Sequence, residues 1–156
     1  MRIVIVGAGQ VGFNIARRLS DESKDVVLID RNEEALKKAH EMLDCQVIHG
    51  SGSSPSVMKD AEIEDAEILI AVTSSDEINV VACLIASSMA PAIKKIARIR
   101  GEDYRATIGL LDRDHLGVDF AINPEQEAAN RILRLLTINA ASDIVEFGGG
   151  NVKLVG

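Results

Sequence analysis

Three glycines and one aspartate near the start of the chain carry its clearest chemistry. Gly7, Gly9 and Gly12 stand in G-x-G-x-x-G spacing, and Asp30 follows further on, within the run VVLID. Gly7 permits a sharp turn, Gly9 lets the backbone approach a pyrophosphate because no Cβ intervenes, and Gly12 lets a helix pack tightly on a strand. The free N–H groups in the first turn of the helix that follows would face phosphates, where the helix dipole adds favourable field. The Asp30 carboxylate can accept hydrogen bonds from both hydroxyls of an adenosine ribose, and it repels a 2′-phosphate. That places NAD or an adenine nucleotide ahead of NADP, although Arg31 beside it is a cation that softens the preference.

This chemistry requires strand, turn, helix and second strand in that order, and the residues comply. Arg2 to Val6 is a short β-branched run, Val11 to Leu19 is helix-compatible, and Val26 to Ile29 is a second apolar run closing on Asp30. Further along, Asn32 is a candidate N-cap, and Ala35, Leu36, Ala39 and Leu43 form a helical stripe. Cys45 to His49 reads as a third strand running into a small-residue turn from Gly50 and Ser51 to Pro55, on the ligand side of the sheet. A short helix over Val57 to Glu62 leads to a fourth strand, Ala66 to Val72, apolar enough to be buried on both faces.

Thr73, Ser74, Ser75 and Asp76 then offer caps for a helix from about Glu77 to Met89, and Thr73 has a second possible role beside a dinucleotide at the topological switch point. That helix is apolar over much of its circumference, so its second face is expected to bury against another subunit. Lys95 to Ile99 reads as a fifth strand, whose Arg98 would emerge on the ligand edge to meet either a phosphate or a surface acid. A helix over Glu102 to Leu111, a sixth strand over Val118 to Ile122 and a helix from Pro124 to about Ala140 follow. The expected fold is α/β: a Rossmann-like, doubly wound parallel sheet of order 3-2-1-4-5-6 with helices on both faces. Residues 141–156 read as a hairpin, marginal when alone and so expected to begin a second lobe.

Composition narrows the function. The chain has 156 residues, 47% hydrophobic but only 3% aromatic, which suits a core of Ile, Val, Leu and Ala about a buried parallel sheet. A net charge of −7 argues against a general nucleic-acid binder. The sequence enters the first strand at Arg2, so no signal peptide is expected, and the apolar stretch from Ile78 to Ile93 is broken by Asn79, Ser87, Ser88 and Pro91, so no membrane span is expected. Cys45 and Cys83 are far apart and read as buried, reduced thiols. His40, His49 and His115 fit no metal spacing.

Five segments in order, VGAGQVG, VVLID, AVTSSDEINVVACLIA, KKIARIR and DFAINPEQEAANRI, resemble the KTN/RCK domain family over nearly the whole chain. The resemblance implies a cytoplasmic regulatory domain that binds NAD(H) or ATP/ADP without catalysing a reaction. It also implies homo-oligomers, dimers assembling to a ring, peripheral to the inner face of the cell membrane through a potassium channel or transporter subunit of the TrkH type. By the same resemblance, Gly7, Gly9, Gln10, Val11 and Gly12 would cradle phosphates and Asp30 would hold the ribose. Arg31 would flank the adenine, Gly50 and Ser51 would line that end, Thr73 would approach ribose or phosphate, and Arg98 would offer positive charge. The implied organisation is a nucleotide-binding lobe over residues 1–123, a crossover helix over 124–140 and the start of a truncated C-terminal lobe over 141–156.

The alternative is an NAD-dependent oxidoreductase whose substrate domain is absent from this chain. Such an enzyme needs a proton donor beside the nicotinamide. Tyr104 is the only tyrosine, and Ile108 stands where a short-chain dehydrogenase would place its lysine.

Overall fold

The β-branched run Arg2–Val6 forms strand β1 in the computed structural model, which describes residues 1–107, 109–112, 115–137, 144–147 and 152–155. Five more strands join it, β2 (Asp25–Asp30), β3 (Gln46–His49), β4 (Ile68–Ala71), β5 (Lys94–Arg98) and β6 (Phe120–Ile122). All pairings are parallel, in the order β3-β2-β1-β4-β5-β6, so the expected doubly wound sheet is found. Val6 lies opposite both Ile29 and Ala71, and Ala71 lies opposite Ala97, which brings the carboxyl ends of the central strands to one edge.

Alternation along each strand divides the core between the two faces of the sheet. Val4, Val6, Val27, Ile29, Leu69, Ala71 and Ala97 pack on one side with residues of α3 (Pro55–Asp60), the 3-10 turn Ile63–Asp65 and α4 (Asp76–Met89). Ile3, Ile5, Val26, Leu28 and Ile70 pack on the other with α1 (Gln10–Asp21) and α2 (Glu33–Met42). Two hydrophobic layers around a near-continuous apolar sheet are what a parallel sheet covered on both faces requires.

Three features depart from the expected pattern. The fifth helix, α5 (Glu102–Ala106), stops well before Leu111 because Thr107 turns to an extended conformation and Gly109 takes a left-handed φ of +75°. Lys95, where the expected fifth strand begins, is fully buried, as few lysines are: its Nζ stands 3.3 Å from Asp119 Oδ2 and donates to the Ile93 carbonyl at 3.2 Å. Cys83 is buried as expected, but Cys45 is only half-buried.

The chain divides into two compact units, Met1–Ile122 and Asn123–Gly156. In the second, α6 (Pro124–Thr137) starts on Asn123, whose side chain accepts the Gln126 N–H at 3.1 Å. Strands β7 (Ile144–Phe147) and β8 (Val152–Val155) pair antiparallel; the turn joining them and the end of the expected helix at 138–140 lie outside the described residues. No described helix is long and apolar enough to cross a membrane.

Candidate functional site

The glycine turn joins β1 to α1, and each of its glycines meets a different demand. Gly7 sits at φ +110°, where a Cβ would stand 3.0 Å from the Thr73 nitrogen. A Cβ on Gly12 would lie 1.8 Å from the Gly7 carbonyl oxygen, so helix and strand approach as only glycine allows. Gly9 is the opposite case, because a Cβ there would meet nothing within 4 Å. The space in front of Gly9 is open, and a phosphate approaching the turn would enter there.

The start of α1 differs from that of every other helix of ten or more described residues. Asn32 caps α2, accepting the Ala35 N–H at 3.0 Å, Ser75 caps α4, accepting the Ile78 N–H at 3.2 Å, and Asn123 caps α6. All three carry acids in the first turn. Gly9 supplies α1 with no side-chain cap, and no acid follows it. Phe13 N–H is bonded to the Gly9 carbonyl at 2.8 Å, leaving the N–H groups of Gln10, Val11 and Gly12 ahead of the helical ladder. Donors and dipole at that end are therefore available to an anion.

Asp30 ends β2 beneath this turn. One carboxylate oxygen accepts the Ala8 N–H at 2.5 Å and the other the Asn32 N–H at 2.8 Å. Each oxygen keeps a lone pair for another donor, so the fixed carboxylate can still receive two hydroxyls. Arg31 follows, and its Nη2 donates to Ser51 Oγ at 2.8 Å. The Gly50 N–H donates to the Asp30 carbonyl at 2.8 Å. Gly50 packs on Val57 and Gly52 on Val6, where a Cβ would come within 2.6 and 2.2 Å of side-chain carbons. The expected adenine-end residues are thus held together by a turn clamped to the sheet.

On the other side of the glycine turn, Thr73 follows β4 and Arg98 ends β5. Of the expected caps, Ser75 fills the role; Thr73 and Asp76 turn elsewhere. Ser75 also donates to Glu77 Oε2 at 2.7 Å, and this hydrogen bond holds the Glu77 carboxyl below the usual carboxylate range. The Thr73 hydroxyl donates to Asn79 Oδ1 at 2.7 Å, and Thr73 N–H does so at 2.9 Å. Asn79, fully buried, returns its Nδ2 to the carbonyls of Thr73 and, at 2.8 Å, of Arg98. Asp76 Oδ2 accepts the N–H groups of Arg100 and Gly101 at 2.8 and 2.7 Å, while the Arg100 guanidinium reaches the Ser74 carbonyl.

The sequence reading missed Asn79 and Asp76 as the ties between the β4 and β5 loops. The available signal was Asn79 itself, a lone amide on the apolar circumference of its helix.

The two cysteines lie away from this edge, Cys45 ahead of the amino end of β3 and Cys83 within α4. Burial pushes the Cys83 thiol up to about 12 and also raises Cys45. Among the described residues no group of three or more His, Cys, Asp or Glu could hold a metal ion. The cleft sets free helix N–H groups and a fixed carboxylate side by side, the pair of groups that phosphates and a ribose would engage.

Comparison with known proteins agrees with this fold. The family model for the TrkA-N domain matches residues 3–124. The chain is 43% identical over its whole length to the Trk system potassium uptake protein TrkA of Azorhizobium caulinodans, of which it covers 34%. It thus spans about a third of the length of the curated relatives it matches. Among solved structures, the TrkA-N domain of the inner membrane protein ybaL from Escherichia coli superposes with a TM-score of 0.75 at 24% identity, covering 86% of this chain and 96% of that one. The GsuK channel bound to NAD superposes with a TM-score of 0.72 at 20% identity, covering 94% of this chain and 25% of that one. Its ADP-bound form gives 0.69 at 22%, covering 86% and 34%.

Proposed function

The chain belongs to the TrkA-N domain family, and from that premise we propose that it is the nucleotide-sensing domain of a potassium-uptake regulator. It binds NAD(H), or alternatively ATP/ADP, and passes the state of its cleft to a membrane potassium channel or transporter subunit of the TrkH type. The observation that carries this reading is the uncapped, acid-free start of α1 in front of a glycine turn, with the carboxylate of Asp30 fixed beneath it. The potassium-uptake relatives and the NAD- and ADP-bound forms of GsuK support it from outside the chain.

In this reading Gly7, Gly9 and Gly12, with the N–H groups of Gln10 and Val11, hold the phosphates, and Asp30 accepts the two ribose hydroxyls. Arg31, Gly50 and Ser51 flank the adenine. Thr73 and Arg98 face the distal part of the ligand, where NAD⁺ differs from NADH by a charge and ATP from ADP by a phosphate. The bound nucleotide supplies charge and contact surface, and no reaction is catalysed on it. Residues 1–123 are the nucleotide lobe, 124–140 the crossover helix and 141–156 the beginning of a further lobe. The regulator works in the cytoplasm as a homo-oligomer, a dimer that assembles toward a ring, at the inner face of the membrane through its partner.

The mechanism is a population shift: a nucleotide that fits one shape of the assembly better than another draws the equilibrium toward it, and only the difference in affinity does so. A difference of about 1.4 kcal/mol shifts the ratio tenfold. A thermal-shift panel with NAD⁺, NADH, NADP⁺, ATP and ADP, followed by calorimetric titration of each hit, tests the binding claim. A ligand at about 100-fold over its Kd adds about 2.7 kcal/mol. Clear shifts with NAD(H) or with ATP and ADP are expected; no shift with any of the five would overturn the reading.

A further inference from the structure

The adenine end contains an arrangement that neither the glycine motif nor Asp30 explains. Arg31 is the cation next to the ribose carboxylate, and its guanidinium is committed to Ser51 Oγ at 2.8 Å. The same oxygen accepts the Ser53 N–H at 3.3 Å and lies 2.8 Å from Ser53 Oγ. A serine hydroxyl has two lone pairs and one proton. With both lone pairs engaged by Arg31 and the Ser53 N–H, the proton points to Ser53 Oγ, and the hydroxyl is fully used. The turn that carries it is held on three sides: Gly50 against Val57, Gly52 against Val6, and the Gly50 N–H on the Asp30 carbonyl. The backbone of Arg31 is fixed as well, since its carbonyl lies 3.0 Å from His49 Nε2, which must be the donor to a carbonyl oxygen.

We propose that Ser51 is a specificity-determining residue that latches Arg31 onto the β3 turn and so withholds the guanidinium from the ribose 2′ position. The proposal rests on the nucleotide-binding reading above and deepens it. With Arg31 latched, the charge facing the 2′ oxygen is the carboxylate of Asp30, held by Ala8 and Asn32. A free 2′-hydroxyl finds an acceptor there, whereas a 2′-phosphate meets a negative charge with the neighbouring cation tied away. The ligand class is therefore an adenosine nucleotide with an unmodified ribose. Ser51 does its work through Arg31 and is a positioning residue.

The test is calorimetric titration of NAD⁺ and NADP⁺ into the 156-residue chain and into Ser51→Ala, Ser51→Thr and Ser51→Ala with Arg31→Ala. The latch is one hydrogen bond at an exposed site, so removing it should raise the ratio of NADP⁺ to NAD⁺ affinity about fivefold, while any contact Ser51 makes with the adenine they share acts on both ligands alike. Ser51→Thr keeps the hydroxyl and should behave as the original chain. The double variant should lose the gain, because the freed guanidinium is what produces it. An unchanged ratio of NADP⁺ to NAD⁺ affinity in Ser51→Ala, or a gain in that ratio that survives in the double variant, overturns the latch while leaving the nucleotide site standing. Absence of NAD⁺ and NADP⁺ binding in every version overturns the latch, and if ATP and ADP fail as well the underlying reading falls with it.

Discussion

At the scale of single residues, the informative positions are polar groups that burial has forced into partnership. Lys95 has no exposed surface, and Asp119 answers it twice, accepting both its backbone N–H at 2.7 Å and its Nζ at 3.3 Å. Removing one member of such a pair strands the other charge. Asp119→Ala should therefore cost about 3–5 kcal/mol in urea unfolding, and replacing Lys95 and Asp119 together with apolar residues should cost much less; equal losses would contradict the pairing. Cys83 gives a pH prediction. Its thiol stays neutral in the fold up to about 12 against an ordinary value of 9.0. The stability this represents is fully present below pH 9 and is lost as pH rises toward 12, because the unfolded chain releases a proton that the folded chain retains. Urea melts at several alkaline pH values should show a decline that Cys83→Ala lacks.

At the scale of elements, the turn between β1 and α1 separates two reasons for being glycine. Gly12→Ala must push its methyl into the Gly7 carbonyl, 1.8 Å away, and should destabilise by roughly 3 kcal/mol or more. Gly9→Ala meets nothing and has an ordinary φ of −65°, so it should fold normally while its methyl obstructs the approach of a phosphate. Melting temperatures with and without NAD⁺ would distinguish them: a low value for the first, and a normal value with little ligand shift for the second. These elements were legible in the sequence because their signals are local. Three glycines in fixed spacing, β-branched runs and Asn32 ahead of an apolar stripe declare themselves within a few residues. What could not be read depends on partners distant in the chain. Nothing around Asn79 announces the Arg98 carbonyl it will meet, and Lys95 looks like any strand lysine until Asp119 is folded against it. The excess length read into α5 has a nearer cause, since Glu102 to Leu111 keeps helix-compatible composition until Gly109 adopts positive φ.

At the scale of the molecule, α4 has two faces with different duties. Asn79, Val80, Cys83 and Ala86 are buried, while Val81 and Leu84 remain 38% and 37% exposed between Glu77 and Ser88. An apolar strip on the outside of an otherwise buried helix fits the proposed self-association. Sedimentation velocity should show concentration-dependent association that Leu84→Glu abolishes; a chain that stays monomeric at high concentration would contradict it. The sheet order was legible at this scale, as the alternation of strand and helix leaves few topologies open. The partner of the α4 strip was not, because a single chain's periodicity shows only that a face is apolar.

The position of the cleft at the ends of five strands has a consequence in time. The glycine turn follows β1, which is synthesised before the other five strands of its sheet, yet Thr73 and the tie through Asn79 to Arg98 come from strands made much later. Parallel pairing of β1 with β4 is a long-range event that must await the intervening β2 and β3 units. A nascent or half-folded chain therefore possesses the motif without the site. In the proposed reading nucleotide grips the molecule only after its last walls have closed, so it should slow unfolding without hastening folding, and binding itself would certify that the domain has been completed.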